Sequence, residues 1–275
     1  MHRPCISNNV DLLDKKTILQ HLNAKHSIAM EQLEILDITS STNDHLAKIN
    51  NPKREVRICL AEMQTAGRGR LRKKWFSPYA RNIYLSMSWY FVMESGQLSG
   101  LSLAVAVATV KTLAQYGIVR GLRIKWPNDI LWNDRKLAGI LIETAGESSG
   151  FCRAIIGIGL NIYMPDNPDI EQAWCDISQI IGKIPNRSLL ASLLLNNLCT
   201  TLIIFQRRGL KPFIKKWHRL DYTRNKQITI ISPRGEKISG IGQGIDEQGS
   251  LLLKDKSENI RRITCGEVSL KMANI

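Results

Sequence analysis

The chain is short of acid. Against 38 lysines and arginines stand 24 aspartates and glutamates, giving a formal net charge of +14 over 275 residues. A field of that sign draws an anionic partner, and charge alone does not choose between nucleotide, nucleic acid and acidic protein. Cysteines are few and scattered. Cys5, Cys59, Cys152, Cys175, Cys199 and Cys265 form no C-x-x-C pair and no metal-ligand spacing with any histidine, so no dedicated metal site is expected and the thiols read as reduced. Long apolar runs are missing too. Leu101 to Val110 ends at Lys111, and Ser188 to Phe205 is interrupted by Asn196, Asn197, Thr200 and Thr201. Neither matches the roughly 20 apolar residues of a membrane span. The amino terminus lacks an apolar stretch of the signal-peptide kind, and a cytoplasmic protein with no membrane partner is expected. There is no internal repeat and no low-complexity tract. Gly157-x-Gly159 lacks a third glycine and a following helix, which excludes a dinucleotide fingerprint.

What is present falls into two units. Leu33 to Ile38 reads as a strand, and Ser41 and Asp44 have capping-box spacing at the start of a helix that Asn51-Pro52 stops. Arg57 to Glu62 and Asn82 to Trp89 read as strands, the second placing Ile83, Leu85 and Met87 on one face. Ser99 to Tyr116 is apolar on nearly every side and predicts a buried helix ending at Gly117. Leu122 to Trp126, Lys136 to Glu143 and Phe151 to Ile162 predict hairpin-connected strands, with Thr144 to Gly150 a polar loop. Two helices follow, Ser188 to Arg208 and Leu210 to Leu220, split by Gly209. From Gln227 short apolar segments alternate with turns such as Pro233-Arg234-Gly235, the signature of a small barrel.

The most informative segment runs from Gln64 to Trp75. It joins Gly67 and Gly69 to five cations, Arg68, Arg70, Arg72, Lys73 and Lys74, and ends on an indole. Glycines able to adopt positive φ bring backbone N–H groups close to a ligand, so alternation with arginine builds an anion nest. Mutual repulsion predicts a loop that is mobile until an anion orders it.

Four more blocks accompany this loop: Ser41-Thr42-Asn43, Lys125-Trp126-Pro127-Asn128-Asp129, Lys136-Leu137-Ala138-Gly139-Ile140-Leu141 and Gly157-Ile158-Gly159-Leu160-Asn161. In order and spacing the five resemble those of biotin protein ligases, and the likeness extends from about Asp11 to about Met272. The resemblance implies an α+β fold: a mixed, mostly antiparallel sheet flanked by helices, similar to class II aminoacyl-tRNA synthetases, with a small C-terminal SH3-like β-barrel. It implies a catalytic domain over residues 1–222 and the barrel over 223–275. The implied reaction has two steps, in which ATP, with Mg2+, activates biotin as its adenylate and a lysine of an acceptor protein then takes the biotinyl group. A biotin carboxyl carrier protein or domain is the expected acceptor.

Residue by residue, the resemblance gives Lys136, Arg68 and Asp129 to catalysis. Ser41, Thr42, Asn43, Gln64, Gly67 and Gly139 fall to biotin, with Arg68, Arg70 and Lys136 shared between biotin and nucleotide. Trp75, Asn128 and Asn161 fall to ATP and the adenylate, and close backbone approach to the ligand accounts for Gly157 and Gly159. Lys136 is the expected central cation, placed between two anions that must meet.

Two departures stand out. Arg72-Lys73 occupies a place where many relatives carry Gly or Asn, then Arg, and a bulky residue is awkward where positive φ is needed. Some forty residues precede Ser41, too few for the amino-terminal DNA-binding unit of some relatives, so the monofunctional type and no DNA partner are expected. A lipoate-type ligase is the enzyme alternative, though its Arg-Arg-x-Ser-Gly-Gly loop is absent. A nucleic-acid-binding regulator is the other, supported by Arg207, Arg208, Lys211, Lys215, Lys216, Arg219, Arg224 and Lys226. These cations fit equally a solvated face or a docking surface for an acidic carrier domain. Monomer and homodimer are both compatible with the sequence, the edge of the main sheet being the candidate dimer surface.

Overall fold

The computed structural model describes residues 11–23, 32–148, 150–166, 170–231, 237–264 and 269–272. Cys5, Cys265 and the first ten residues lie outside these. Seven strands build the main sheet: β1 (Leu33–Thr39), β2 (Arg57–Gln64), β3 (Ile83–Phe91), β4 (Leu122–Lys125), β5 (Asp129–Trp132), β6 (Arg135–Ser148) and β7 (Phe151–Leu160). Their order is β1-β2-β3-β7-β6-β5-β4, parallel only between β1 and β2. The expected mixed, mostly antiparallel sheet is therefore present. Helices α1 (Lys15–Gln20), α2 (Thr42–Lys48), α3 (Leu101–Gln115), α4 (Ile177–Ile181), α5 (Arg187–Arg208) and α6 (Lys211–Leu220) complete the unit. Five strands form a second, antiparallel sheet: β8 (Gln227–Ile231), β9 (Lys237–Ile245), β10 (Leu251–Lys254), β11 (Ile260–Ile263) and β12 (Ser269–Met272), in the order β11-β10-β9-β8-β12.

Strand alternation decides what each face of the main sheet does. Ile58, Leu60, Ile83, Leu85, Met87, Ile156 and Ile158 point to one face and join the large core beneath α3 and α5. Cys59 and Ile155 point to the other and pack with Leu46 of α2. By length and composition, Ser95–Gln115 and Arg187–Arg208 would suffice to cross a bilayer, which their polar interruptions in sequence understate. Both are mostly buried within the protein, as core helices are. The cysteines Cys59, Cys152, Cys175 and Cys199 are free and buried, and burial pushes the thiols of Cys59, Cys175 and Cys199 up to about 12, so they stay protonated.

Three local features differ from the sequence pattern. Thr144 to Gly150 is not a loop up to Ser148: β6 continues through it, with Thr144 opposite Ala154 and a register shift before Glu147. Pairing with the buried strand β7 overrides local polarity there. Helices α1 and α4 have six and five residues, too few to show a period, yet each has an aspartate cap. Asp14 accepts from Thr17 N at 2.7 Å and Asp176 from Gln179 N at 2.8 Å, which satisfies donors that a helix start leaves open.

A buried ion pair fastens the chain's beginning to both layers. Arg187 Nη2 lies 2.8 Å from Glu62 Oε2, with side chains 2% and 4% exposed. Glu62 Oε1 accepts from Leu13 N at 2.6 Å, and Arg187 donates to the carbonyls of Asn82 and Asp11. Removing one partner strands the other charge in the core, a loss of about 3–5 kcal/mol. Glu62→Ala should lower the unfolding free energy by that amount in chemical denaturation. A change below about 1 kcal/mol, the worth of an exposed pair, would show the pair to be solvated.

Candidate active site

The face of the sheet opposite α3 and α5 carries a cleft of about 870 Å³. It exists because the sheet is stripped of side chains there. Gly139 of β6 lies directly opposite Gly159 of β7, and Ser86 of β3 is opposite Gly157. In this structure the close neighbours of these glycines are protein groups. A Cβ on Gly159 would stand 2.4 Å from Trp75 Cε2, one on Gly139 would stand 3.0 Å from Trp75 Cζ3, and one on Gly157 would stand 2.4 Å from Asn43 Oδ1. The Trp75 indole thus rests on the bare backbone of two strands. Its Nε1 is buried without a hydrogen-bond partner among the described residues.

Trp75 arrives there at the end of the basic loop, which folds as a hairpin. Gly69 N donates to Lys73 O at 2.7 Å, Trp75 N to Gly67 O at 2.9 Å, and Arg68 bridges Lys74. The positive φ expected of the loop's glycines is absent. Neither Gly67 nor Gly69 adopts positive φ; the left-handed residues are Leu71 and Arg72, both at 56°. Gly67 is required for space instead, since a Cβ would meet Ser77 Oγ at 2.7 Å and Gln64 Nε2 at 2.9 Å. The departure at Arg72 therefore falls on a strained position, where L-residues cost about 1–2 kcal/mol each.

A chain of polar contacts runs from this hairpin across the cleft wall. Arg68 makes a fork of two 2.6 Å bonds to Asp44, and its Nη2 also donates to Glu143 at 2.9 Å. The hydrogen bonds from Arg68 hold the Asp44 carboxyl below its ordinary range, while the same bonds raise the guanidinium's. Glu143 accepts from Asn43 Nδ2 at 2.6 Å. Ser86 Oγ lies 2.6 Å from Asn43 Oδ1 and 2.7 Å from Thr42 Oγ1, with one proton to share between them. Thr42 N donates to Gln64 Oε1 at 2.9 Å, and Gln64 Nε2 to Ser77 Oγ at 3.2 Å. Ser41 caps α2, its hydroxyl 3.5 Å from Asp44 N.

At the other end of the cleft sits Lys136. The positive-φ pair Asn133-Asp134 turns β5 into β6, as two-residue hairpins require, and sets Lys136 one residue past the strand start. Its backbone is clamped by Ala173 and Cys175, each at 2.9 Å. Its Nζ lies 2.9 Å from Asp129 Oδ1 and 5.5 Å from the Trp75 ring centroid. Asp129 is paired in register with both Lys125 and Gly139. Lys125 was not singled out by the sequence pattern; burial lowers its ammonium's pKa, Asp129 opposes that, and Lys136 and Lys73 reinforce it. Six cations line the cleft (Arg68, Arg70, Lys73, Lys74, Lys125 and Lys136) against two carboxylates, Asp129 and Glu171.

The expected residues mostly converge. Ser41, Thr42, Asn43, Gln64, Arg68, Arg70, Trp75, Asn128, Asp129, Lys136 and Gly139 all line the cleft. Two do not line it. Gly67 lies buried behind the hairpin, and Asn161 is buried with its amide donating to the carbonyls of Cys175 at 3.1 Å and Lys136 at 3.4 Å. Asn161 holds the strand that carries Lys136. Missed by sequence reasoning were Asp44 as a partner of Arg68, Ser86, Glu143 and Lys125. Ser86 carried a signal: a serine inside a strand whose other face is Ile83, Leu85 and Met87.

Residues 35–161 match the Biotin/lipoate A/B protein ligase family and residues 223–271 the biotin protein ligase C-terminal domain. The bifunctional ligase/repressor BirA of Escherichia coli is 36% identical over 267 residues, covering 96% of this chain and 80% of that protein. The chain belongs to the biotin protein ligase family. The biotin–[acetyl-CoA-carboxylase] ligase of Mycobacterium tuberculosis is 32% identical over 88% of this chain and 90% of its own length. Among solved structures, the biotin protein ligase of Aquifex aeolicus in complex with biotin and ATP superimposes with a TM-score of 0.74 at 26% identity, over 88% of this chain and all of that one.

The glycine floor makes a direct test available. Gly159→Ala should expel the Trp75 indole, because overpacking costs about 1–3 kcal/mol and the side chain can leave where the strands cannot. Acrylamide quenching of Trp75, taken by difference from a Trp75→Phe control, should rise. Unchanged quenching would mean that the indole does not rest on that glycine.

Proposed function

We propose that the protein is an ATP-dependent ligase that activates biotin as biotinyl-5'-AMP and transfers biotin to a lysine of an acceptor protein, a biotin carboxyl carrier domain being the expected one. The observation that carries this reading is Lys136 fixed beside Asp129 in a cleft lined by six basic side chains. A carboxylate oxygen of biotin attacks the α-phosphorus, and the bond from that phosphorus to the bridging oxygen breaks as pyrophosphate leaves. The acceptor amine then attacks the biotinyl carbonyl, AMP departs, and the amine's proton is lost.

The first step brings two anions together. At about 4 Å and an effective dielectric near 20, unit charges repel by roughly 4 kcal/mol, which is about three decades of rate. The Lys136 ammonium, held by Asp129 and by the clamped start of β6, offsets that repulsion without moving. Arg70, Lys73, Lys74 and Lys125 supply charge for the triphosphate. Thr42, Asn43 and Gln64 offer the hydroxyl and amide groups that suit the ureido ring of biotin. Arg68 acts through the hairpin, its fork to Asp44 keeping the loop against α2.

Magnesium fits as a companion of ATP. No group of three His, Cys, Asp or Glu among the described residues makes a cage of its own, whereas Asp129 with phosphate oxygens and water matches the usual Mg2+ arrangement. Bound there, the ion would neutralise phosphate charge. We assign residues 1–222 to the catalytic unit, 223–275 to the small domain, and the whole to the cytoplasm.

Biotin-dependent release of pyrophosphate from Mg-ATP is the deciding measurement, and its absence in the wild-type protein would refute the ligase reading. Lys136→Ala should reduce that release by about a thousandfold, the scale of the offset repulsion, with the fold intact by circular dichroism. Wild-type turnover in that variant would remove the role. Arg68→Ala should instead raise the rate at which labelled adenylate escapes to solvent, by about tenfold or more if the fork contributes at least the roughly 1.5 kcal/mol of a charge-assisted bond. Escape at the wild-type rate would separate the hairpin from adenylate retention.

A further inference from the structure

The turn Asp246–Ser250 faces two places. Its Gly249 carbonyl accepts from Trp126 Nε1 at 3.0 Å, and Trp126 lines the catalytic cleft. Its Asp246, Glu247 and Gln248 line a second groove, of about 880 Å³, between α6 and the C-terminal sheet. The same turn of chain therefore lines this groove and touches a lining residue of the catalytic cleft.

The groove is strongly basic, and four of its cations form no ion pair among the described residues. Lys211, Lys215 and Arg219 follow one another at intervals of four on α6 and share its face, with Arg224 beside them and Arg262 reaching in from β11. Like charges four apart on a helix repel. Lys211, Lys215, Arg219 and Arg224 form no ion pair among the described residues, whereas Lys254 and Arg261 of the same C-terminal region are paired with Glu258 and Asp255. Arg262 alone has a carboxylate, Asp246 at 3.5 Å, whose other oxygen is taken by the N–H groups of Gln248 and Ser250. The wall is rigid: His218 packs so closely on Gly244 that a Cβ there would stand 2.5 Å from the imidazole, and α6 is anchored by buried Phe213 and Trp217.

We propose that this groove is the docking surface for an acidic face of the acceptor protein, which it holds while the acceptor's lysine enters the adjoining cleft. The inference rests on the ligase reading and adds to it where the protein substrate sits. A protein face suits the groove better than nucleic acid, because the exposed Glu247 on one rim repels a uniformly charged backbone and can meet a donor on a mixed surface. Docking by unpaired exposed charges acts on encounter and its salt dependence more than on chemistry.

The test is the triple variant Lys211→Glu, Lys215→Glu, Arg219→Glu in the full chain, assayed with a purified biotin carboxyl carrier domain. KM for the carrier should rise about tenfold or more while kcat and biotin-dependent pyrophosphate release stay at wild-type values. Added salt should raise the wild-type KM and leave that of the variant nearly flat. A carrier KM unchanged at low salt overturns the proposal. So does duplex DNA retained by the wild type and lost by the variant with carrier KM unchanged, which would assign the groove to nucleic acid. Pyrophosphate release is read separately, and its absence from the wild-type protein would refute the ligase reading itself.

Discussion

Everything in the cleft depends on the absence of side chains from one patch of the main sheet. Gly139 and Gly159 are register partners, and Gly157 is opposite Ser86, so two neighbouring strands present backbone, and a third only a small serine, where Ile or Val would ordinarily stand. Backbone in mid-sheet has its N–H and C=O groups already paired, which makes such a floor flat and apolar, a surface that takes a planar ring. In this structure Trp75 rests on it. The opposite face of the same strands carries the largest core of the molecule, so the floor is backed by close-packed side chains that cannot yield.

Charge is organised around that floor at its two ends. At one end, Arg68 is neutralised by Asp44 and Glu143 and serves as a strap. At the other, Asp129 faces Lys136 at 2.9 Å and feels Lys125 as well, so the cationic excess is concentrated there. The cations of the cleft thus serve different ends. Arg68, bound to two carboxylates, fixes the hairpin; Lys136, held by Asp129, and its neighbour Lys125 define where a polyanion is most stabilised.

The fold was legible wherever elements were long and strictly patterned. Ile83, Leu85 and Met87 alternate as a strand does and face the core, Ser41 caps its helix, and Gly209 divides α5 from α6. The short helices α1 and α4 were not legible, since six and five residues cannot display a period. The extension of β6 through Thr144 was hidden because its cause lies in the partner strand. In the site, the resemblance of the five ordered blocks to biotin protein ligases pointed to Lys136, Asp129 and Trp75, but partners distant in sequence could not be paired by inspection. Arg68 and Glu143, 75 positions apart, are an example. Gly67 and Gly69 show a subtler failure: glycine was read as freedom of φ, whereas Gly67 is needed for room and the left-handed backbone falls on Leu71 and Arg72.

The hydrogen bond from Trp126 to Gly249 gives the small C-terminal sheet a part in shaping the catalytic unit. Trp126 is 1% exposed, and its indole N–H finds its acceptor outside the main sheet. Excising the C-terminal residues would leave that donor unsatisfied beside Asn128 and Asp129 and would uncover apolar surface that Leu251 and Leu253 now share with the main core. Although separable as a stretch of sequence, the terminal module acts as a keystone, since its Leu251 and Leu253 belong to the same apolar core as the main sheet.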